Sequence, residues 1–142
     1  METKKVINDL QKLKFRITIA RKEIIKIFSL SKKPLSAKDV YKKLIKKNVI
    51  VDLTTVYREL NFLQKNDYLI EIHLHSNEKF FESSKLAHHH HLICDNCGTI
   101  EDIDGCLLQN LDSVMAKGFL INRHVLEFYG LCAKCKKNYE GQ

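Results

Sequence analysis

Two Cys-x-x-Cys pairs, Cys94/Cys97 and Cys132/Cys135, constrain this chain more than any other feature. Each pair can present two thiolates from one tight turn, and two pairs complete a tetrahedral four-thiolate zinc shell. Gly98 directly after the first pair suits the sharp turn such a shell needs. The gap between the pairs exceeds the ~15–20 residues of a minimal zinc ribbon. A strand, a helix and a strand fit in it, so one ion would tie together two edges of a small α/β domain. The competing reading is a dithiol redox pair. That needs a nucleophilic thiol at a helix N-terminus, whereas both pairs are read here as lying beside strand-like sequence. The fifth cysteine, Cys106, reads as a free buried residue at the head of a helix.

Just before the first pair stand four consecutive histidines, His88–His91. They are mid-chain and lead into Leu92, Ile93 and Cys94, so they are no terminal purification tag. In an extended strand His88 and His90 face one way, His89 and His91 the other. One short segment could then feed two metal sites. Imidazoles with carboxylates make exchangeable sites for Zn, Fe, Ni or Mn. The nearby carboxylates are Glu82, Glu101 and Asp102, and further imidazoles are His73, His75 and His124. Of these, His73, His75 and Glu101 read as ordinary surface residues.

Charge separates the chain into two parts. Residues 1–66 hold 17 Lys/Arg against 6 Asp/Glu, a balance of +11, and residues 67–142 hold 7 against 11, a balance of −4. A basic front half is the electrostatic footprint of a phosphate-backbone binder. It is also what lysines that merely solubilise helix faces would give. No run approaches the ~18–20 apolar residues of a membrane helix, and the N-terminus has no apolar signal region. A cytoplasmic protein without membrane attachment is expected.

Periodicity predicts helices in the first half. Val6, Leu10 and Leu13 mark one face. Ile17, Ala20, Ile24, Ile27 and Phe28 mark a second. Ser36, with Asp39 three residues on, starts a third helix as a near capping box. Val40, Tyr41, Leu44 and Ile45 form its apolar stripe. Asp52 or Thr54 caps a fourth, with Val56, Leu60 and Leu63 inward and Thr55, Tyr57 and Arg58 outward. "LIEIHL" and "KFFES" follow as two strands of a hairpin. Helices followed by a hairpin in a basic segment match a winged helix-turn-helix, whose recognition helix enters the major groove. In the second half, "TIEDID" reads as a strand, "GCLLQNLDSVMAKG" as a helix and "FLINRHVLEFY" as a strand. The expected fold is α+β: a winged helix-turn-helix over 1–84, then a small α/β dimerisation domain with a four-cysteine zinc site over 85–142.

"TTVYREL", "HHHHLICDNCG", "IED" and "HVLEFYGLCAKC" together resemble the ferric uptake regulator family of bacterial metal-responsive repressors. The resemblance runs from "FRITIARKEII" through the last cysteine pair. It implies a homodimer that binds palindromic promoter DNA when a regulatory divalent metal, Fe(II), Zn(II) or Mn(II), fills a site between the domains. Cys94, Cys97, Cys132 and Cys135 match the structural zinc ligands. Glu82, His89 and His91 match the sensing site, with Asp102 at an acidic position some members use there. His88, His90 and His124 match a further site. Tyr57 and Arg58 match DNA-contacting positions, and Arg16 a basic residue near the minor groove; Thr55 is grouped with them from its outward position.

Two departures stand out. Pro34 occupies the place of a histidine that many members give to the sensing site, so Asp102, Glu71 or His73 would have to substitute. Gln109 replaces a glutamate of the further site. A zinc hydrolase would need an open metal position and a general base; there is no His-Glu-x-x-His, and the basic half would go unexplained. A metal chaperone leaves the helix-turn-helix pattern unexplained. A zinc-stabilised DNA-binding regulator without metal sensing is the alternative that fits most of the sequence.

Overall fold

The computed structural model describes residues 3–73, 78–86, 89–105, 118, 124 and 126–139. His75, His88, Cys106, Gln109 and nearly all of the expected helix over "GCLLQNLDSVMAKG" lie outside the described residues. The chain divides into two compact units, Met1–Leu86 and Ala87–Gln142.

The first unit contains α1 (Thr3–Lys12), α2 (Ile19–Leu30), β1 (Leu35–Ser36), α3 (Ala37–Lys46), α4 (Leu53–Lys65), β2 (Leu69–His73) and β3 (Lys79–Ser83). Side chains fix where three of the helices begin. Thr18 accepts from the Arg21 backbone N–H (3.1 Å), and Asp52 from that of Thr55 (2.6 Å). Ser36 and Asp39 form the full reciprocal capping box, 3.2 Å one way and 3.1 Å the other. The Thr55 N–H is also what holds the Asp52 carboxyl below its ordinary pKa.

Three helices stop by the same device. Lys14, Asn48 and Asp67 adopt left-handed backbone with φ of 60°, 58° and 59°. The next residue's N–H then reaches back five positions: Phe15 to Leu10, Val49 to Leu44 and Tyr68 to Leu63, at 2.9–3.0 Å. This six-to-one closure satisfies carbonyls that a helix end leaves open. It also corrects one expectation. Leu13 lies past the end of α1 and is 59% exposed. On α3 the buried stripe is narrower than expected: Val40 and Leu44 are buried, while Ile45 is 45% exposed.

The core of this unit gathers Leu10, Ile24, Ile25, Phe28, Val40, Leu44, Val56, Leu60 and Leu63 from the four helices and Phe81 from β3. The small sheet has the order β1-β3-β2, antiparallel throughout, with Glu71 opposite Phe81 and Ile70 opposite Glu82. Helices α3 and α4 followed by the β2–β3 hairpin make this a winged helix-turn-helix.

In the second unit, β4 (His89–Cys94) is the middle strand of a three-stranded sheet ordered β5-β4-β6. It runs antiparallel to β5 (Ile100–Asp104) and parallel to β6 (Glu127–Gly130). A seven-residue helix, α5 (Ala133–Tyr139), follows β6. Among the described residues, no helix is long and apolar enough to cross a membrane.

Candidate metal centres and nucleic-acid interface

The sulfur centre is built on the end of β4. Cys94 is its last residue, and the chain turns through Asp95, Asn96 and Cys97. Gly98 closes the turn at φ +68°, where a side chain would be strained, and donates its N–H to the Cys94 carbonyl at 2.9 Å. Asp95 N–H donates to the Gly130 carbonyl (2.8 Å), which brings the residues after β6 to the same place. The ligand atoms of Cys94, Cys97, Cys132 and Cys135 all lie within 4.8 Å of one another. Four sulfurs each about 2.3 Å from one zinc stand about 3.8 Å apart. The Cys97 and Cys132 sulfurs are separated by 3.7 Å. The donor chemistry and the spacing both fit a structural zinc ion.

The second pair does not sit beside a strand alone, as the sequence suggested. The Cys132 carbonyl accepts from the Lys136 N–H at 2.8 Å, so Cys132 opens helix α5. Strand context therefore does not exclude redox chemistry for this pair. What favours zinc is that all four thiols converge within 4.8 Å of one another.

The thiols are not equivalent before they meet an ion. The Cys132 backbone N–H donates to Cys94 Sγ at 3.2 Å, and with further backbone donors it lowers the Cys94 pKa to about 6. Thr99 Oγ1, 3.1 Å from Cys97 Sγ, lowers that thiol too. At Cys135 a hydrogen bond from Asn96 acts to lower the pKa. The crowding of Cys132, Cys97 and Cys94 with burial outweighs it and raises the value to about 12. Neither Asn96 nor Thr99 belongs to a motif that the sequence displays.

The imidazole centre lies further back along β4. Alternation holds for the histidines it covers. The His89 and His91 rings meet edge to face at 4.8 Å between centroids, and His90 turns to the other face, 5.4 Å from the His124 ring. His91 is only 3% exposed. Its Nδ1 lies 3.3 Å from Asp102 Oδ1 across the β4–β5 ladder. Two ligand atoms about 2.1 Å from one ion stand about 3.0–3.4 Å apart, so this pair has the spacing of neighbouring metal ligands. Glu101 alternates to the opposite face beside Leu92 and is exposed. In the first unit, Glu82 is a buried carboxylate on β3, 7% exposed.

The outward surface of the first unit carries the other candidates. Arg58 is exposed on the second turn of α4, with its guanidinium 3.3 Å from Thr55 Oγ1. Thr55 is half-buried, and Tyr57 packs partly against the core. Arg16 is exposed in the link between α1 and α2. That link is tied to α4 through Arg21. Its guanidinium donates to the Arg16 carbonyl (2.7 Å), pairs with Glu59 (2.7 Å) and stacks 3.7 Å over the Phe62 ring. Arg21 thus fixes Arg16 relative to α4, a role that helical periodicity could not reveal.

A family model described as the ferric uptake regulator family matches residues 12–129. The ferric uptake regulation protein of Bordetella parapertussis is 35% identical over 133 residues, covering 92% of this chain and 96% of that protein. The solved ferric uptake regulator of Francisella tularensis with iron shares 30% identity at a TM-score of 0.75, covering 86% of this chain and 95% of that one. The Vibrio cholerae ferric uptake regulator, whose structure reports a rearrangement of its DNA-binding domains, shares 29% identity at 0.77, covering 88% and 98%.

Proposed function

This chain belongs to the ferric uptake regulator family, and from that membership we propose that it is a metal-dependent repressor binding palindromic promoter DNA as a homodimer. The family consists of metal-responsive transcription regulators rather than enzymes. The chain carries donor sets for a structural Zn(II) and for a second divalent ion.

In this reading Arg58, Tyr57 and Thr55 on α4 face the major groove. Arg58 donates to guanine, Tyr57 packs on a thymine methyl, and Arg16 reaches the minor groove. Lysines of the first unit supply most of the affinity through phosphate contacts, which makes binding steeply salt-dependent. The four cysteines hold the second unit together around zinc. Glu82, His89, His91 and Asp102 hold the exchangeable ion, Fe(II), Zn(II) or Mn(II). The His90–His124 pair, with His88, makes the further metal site. Its family glutamate is replaced by Gln109.

The observation that carries the proposal is the coexistence of an exposed arginine on α4 with an imidazole–carboxylate set separate from the four thiols. The test is a metal titration of DNA binding. The duplex is one selected from random sequence by the Mn(II)-loaded chain, and the cysteine site is already filled with zinc. A sensor tightens on that duplex as Mn(II) or Fe(II) is added under anaerobic conditions. Because Pro34 removes a customary ligand, regulation without sensing is the competing reading, and DNA affinity indifferent to the added ion establishes it. Arg58→Ala should remove specific binding while the dimer stays folded; unchanged affinity defeats the assignment of α4.

A further inference from the structure

We infer that Glu127 supplies a carboxylate ligand to the exchangeable ion held by His89 and His91, replacing the donor that Pro34 cannot provide. This inference rests on the reading of that site given above. The sheet register carries it. His91 on the middle strand pairs with Asp102 on β5 and with Glu127 on β6. Residues paired across a ladder point to the same face, and neighbouring strands are about 4.8 Å apart. His91 is therefore flanked in the sheet by a carboxylate-bearing residue on each neighbouring strand, and His89 lies on the same face two residues away. The glutamate side chain is long enough to reach across one strand spacing.

A second observation concerns how Glu127 is held. Tyr129, two residues on and hence on the same face, donates its hydroxyl to Glu127 Oε2. A ligating carboxylate is commonly oriented by an outer hydrogen bond of this kind, made through one oxygen while the other meets the ion. Beyond His91, toward the cysteines, the same face carries Ile93 and Ile100, both buried. That apolar stretch separates the two centres. Two imidazoles and two carboxylates suit Fe(II), Mn(II) or Zn(II). The sheet of the second unit would then supply four donors by itself, and Glu82 would add the ligand from the first unit.

The experiment uses the full chain with zinc in the cysteine site and titrates Co(II), read by its visible absorption and by competition with a chelator. Glu127→Gln should weaken Co(II) binding on the order of 100-fold, at or beyond the 10–100-fold lost with an outer-shell partner, and change the band intensity. Glu101→Gln, on the opposite face, should change neither. Tyr129→Phe should weaken binding a few-fold with the bands in place. Glu127→Gln with unaltered affinity and spectrum overturns the inference. If His91→Ala is equally silent, the reading of the whole site falls; if His91→Ala abolishes binding, only Glu127 is excluded. Should Glu127→Gln fail to fold, Glu127→Asp decides: an altered Co(II) spectrum supports ligation, and an identical one overturns it.

Discussion

Two donor sets hang from one strand, β4, and they are built in opposite ways. The sulfur set takes Cys94 from the strand's end and Cys97 from the turn after it, and closes with Cys132 and Cys135. Every donor is a soft thiolate, and four of them leave no open position, which is the pattern of a permanent structural zinc. The imidazole set uses the middle of the strand, His89 and His91, with Asp102 from the neighbouring strand. Harder, mixed donors bind several divalent ions and release them. Position along a single strand thus separates a closed thiolate set from a mixed imidazole–carboxylate set.

The largest effect should come from breaking the sulfur set. Structural zinc contributes about 10–16 kcal/mol of apparent folding free energy in zinc-finger peptides. Cys97→Ser should therefore lose bound zinc, measured by elemental analysis, and unfold the second unit while the first keeps its helices by circular dichroism. Next is His91→Ala. It should leave one zinc per chain in place and remove the exchangeable ion, with Mn(II) affinity at least 100-fold lower by electron paramagnetic resonance. Zinc lost together with Mn(II) would mean that the centres are not independent.

A smaller effect concerns coupling. Specific DNA should tighten the exchangeable ion about 5–150-fold, equivalent to 1–3 kcal/mol, and leave zinc exchange at the cysteines unchanged. Proton competition sharpens the contrast further. During brief zinc withdrawal by a chelator, before the second unit unfolds, Cys94 should be alkylated first, with onset near pH 6, and Cys135 last, since the values lie at about 6 and about 12. The sign follows from the depressed value: the folded site keeps the Cys94 thiolate above pH 6 and loses it as pH falls through 6. Equal rates for all four cysteines, read by mass spectrometry, would show that the turn needs its ion to form. The smallest effect lies at a helix start in the first unit. Ser36→Ala breaks the capping box of α3 and should cost about 1 kcal/mol by chemical denaturation, without altering either metal affinity.

Much of this was legible in the residues. Ser36 with Asp39 announced a helix start, and the structure has the complete reciprocal cap. The alternation of His89 and His91 against His90 followed from strand geometry alone, and the ring contacts obey it. Less legible were the helix ends. Lys14, Asn48 and Asp67 take left-handed backbone where glycine would have signalled it, and so the periodicity extends α1 to Leu13. Arg21 looked like one basic residue among many. Its contacts with Glu59, Phe62 and the Arg16 carbonyl depend on how α2 lies against α4.

What the sequence alone determined was local and chemical: thiolates in pairs, imidazoles in alternation, apolar residues at helical spacing, hydroxyl and carboxylate caps. Each depends on atoms a few positions apart, whose separation the covalent chain already limits. Only the tertiary structure decided which distant residues share a face. Glu127 follows His91 by thirty-six positions, and nothing in the intervening residues specifies how β6 is aligned on β4. That alignment is set by packing and by the ladder's hydrogen bonds, and a slip of one residue would turn Glu127 to the opposite side of the sheet.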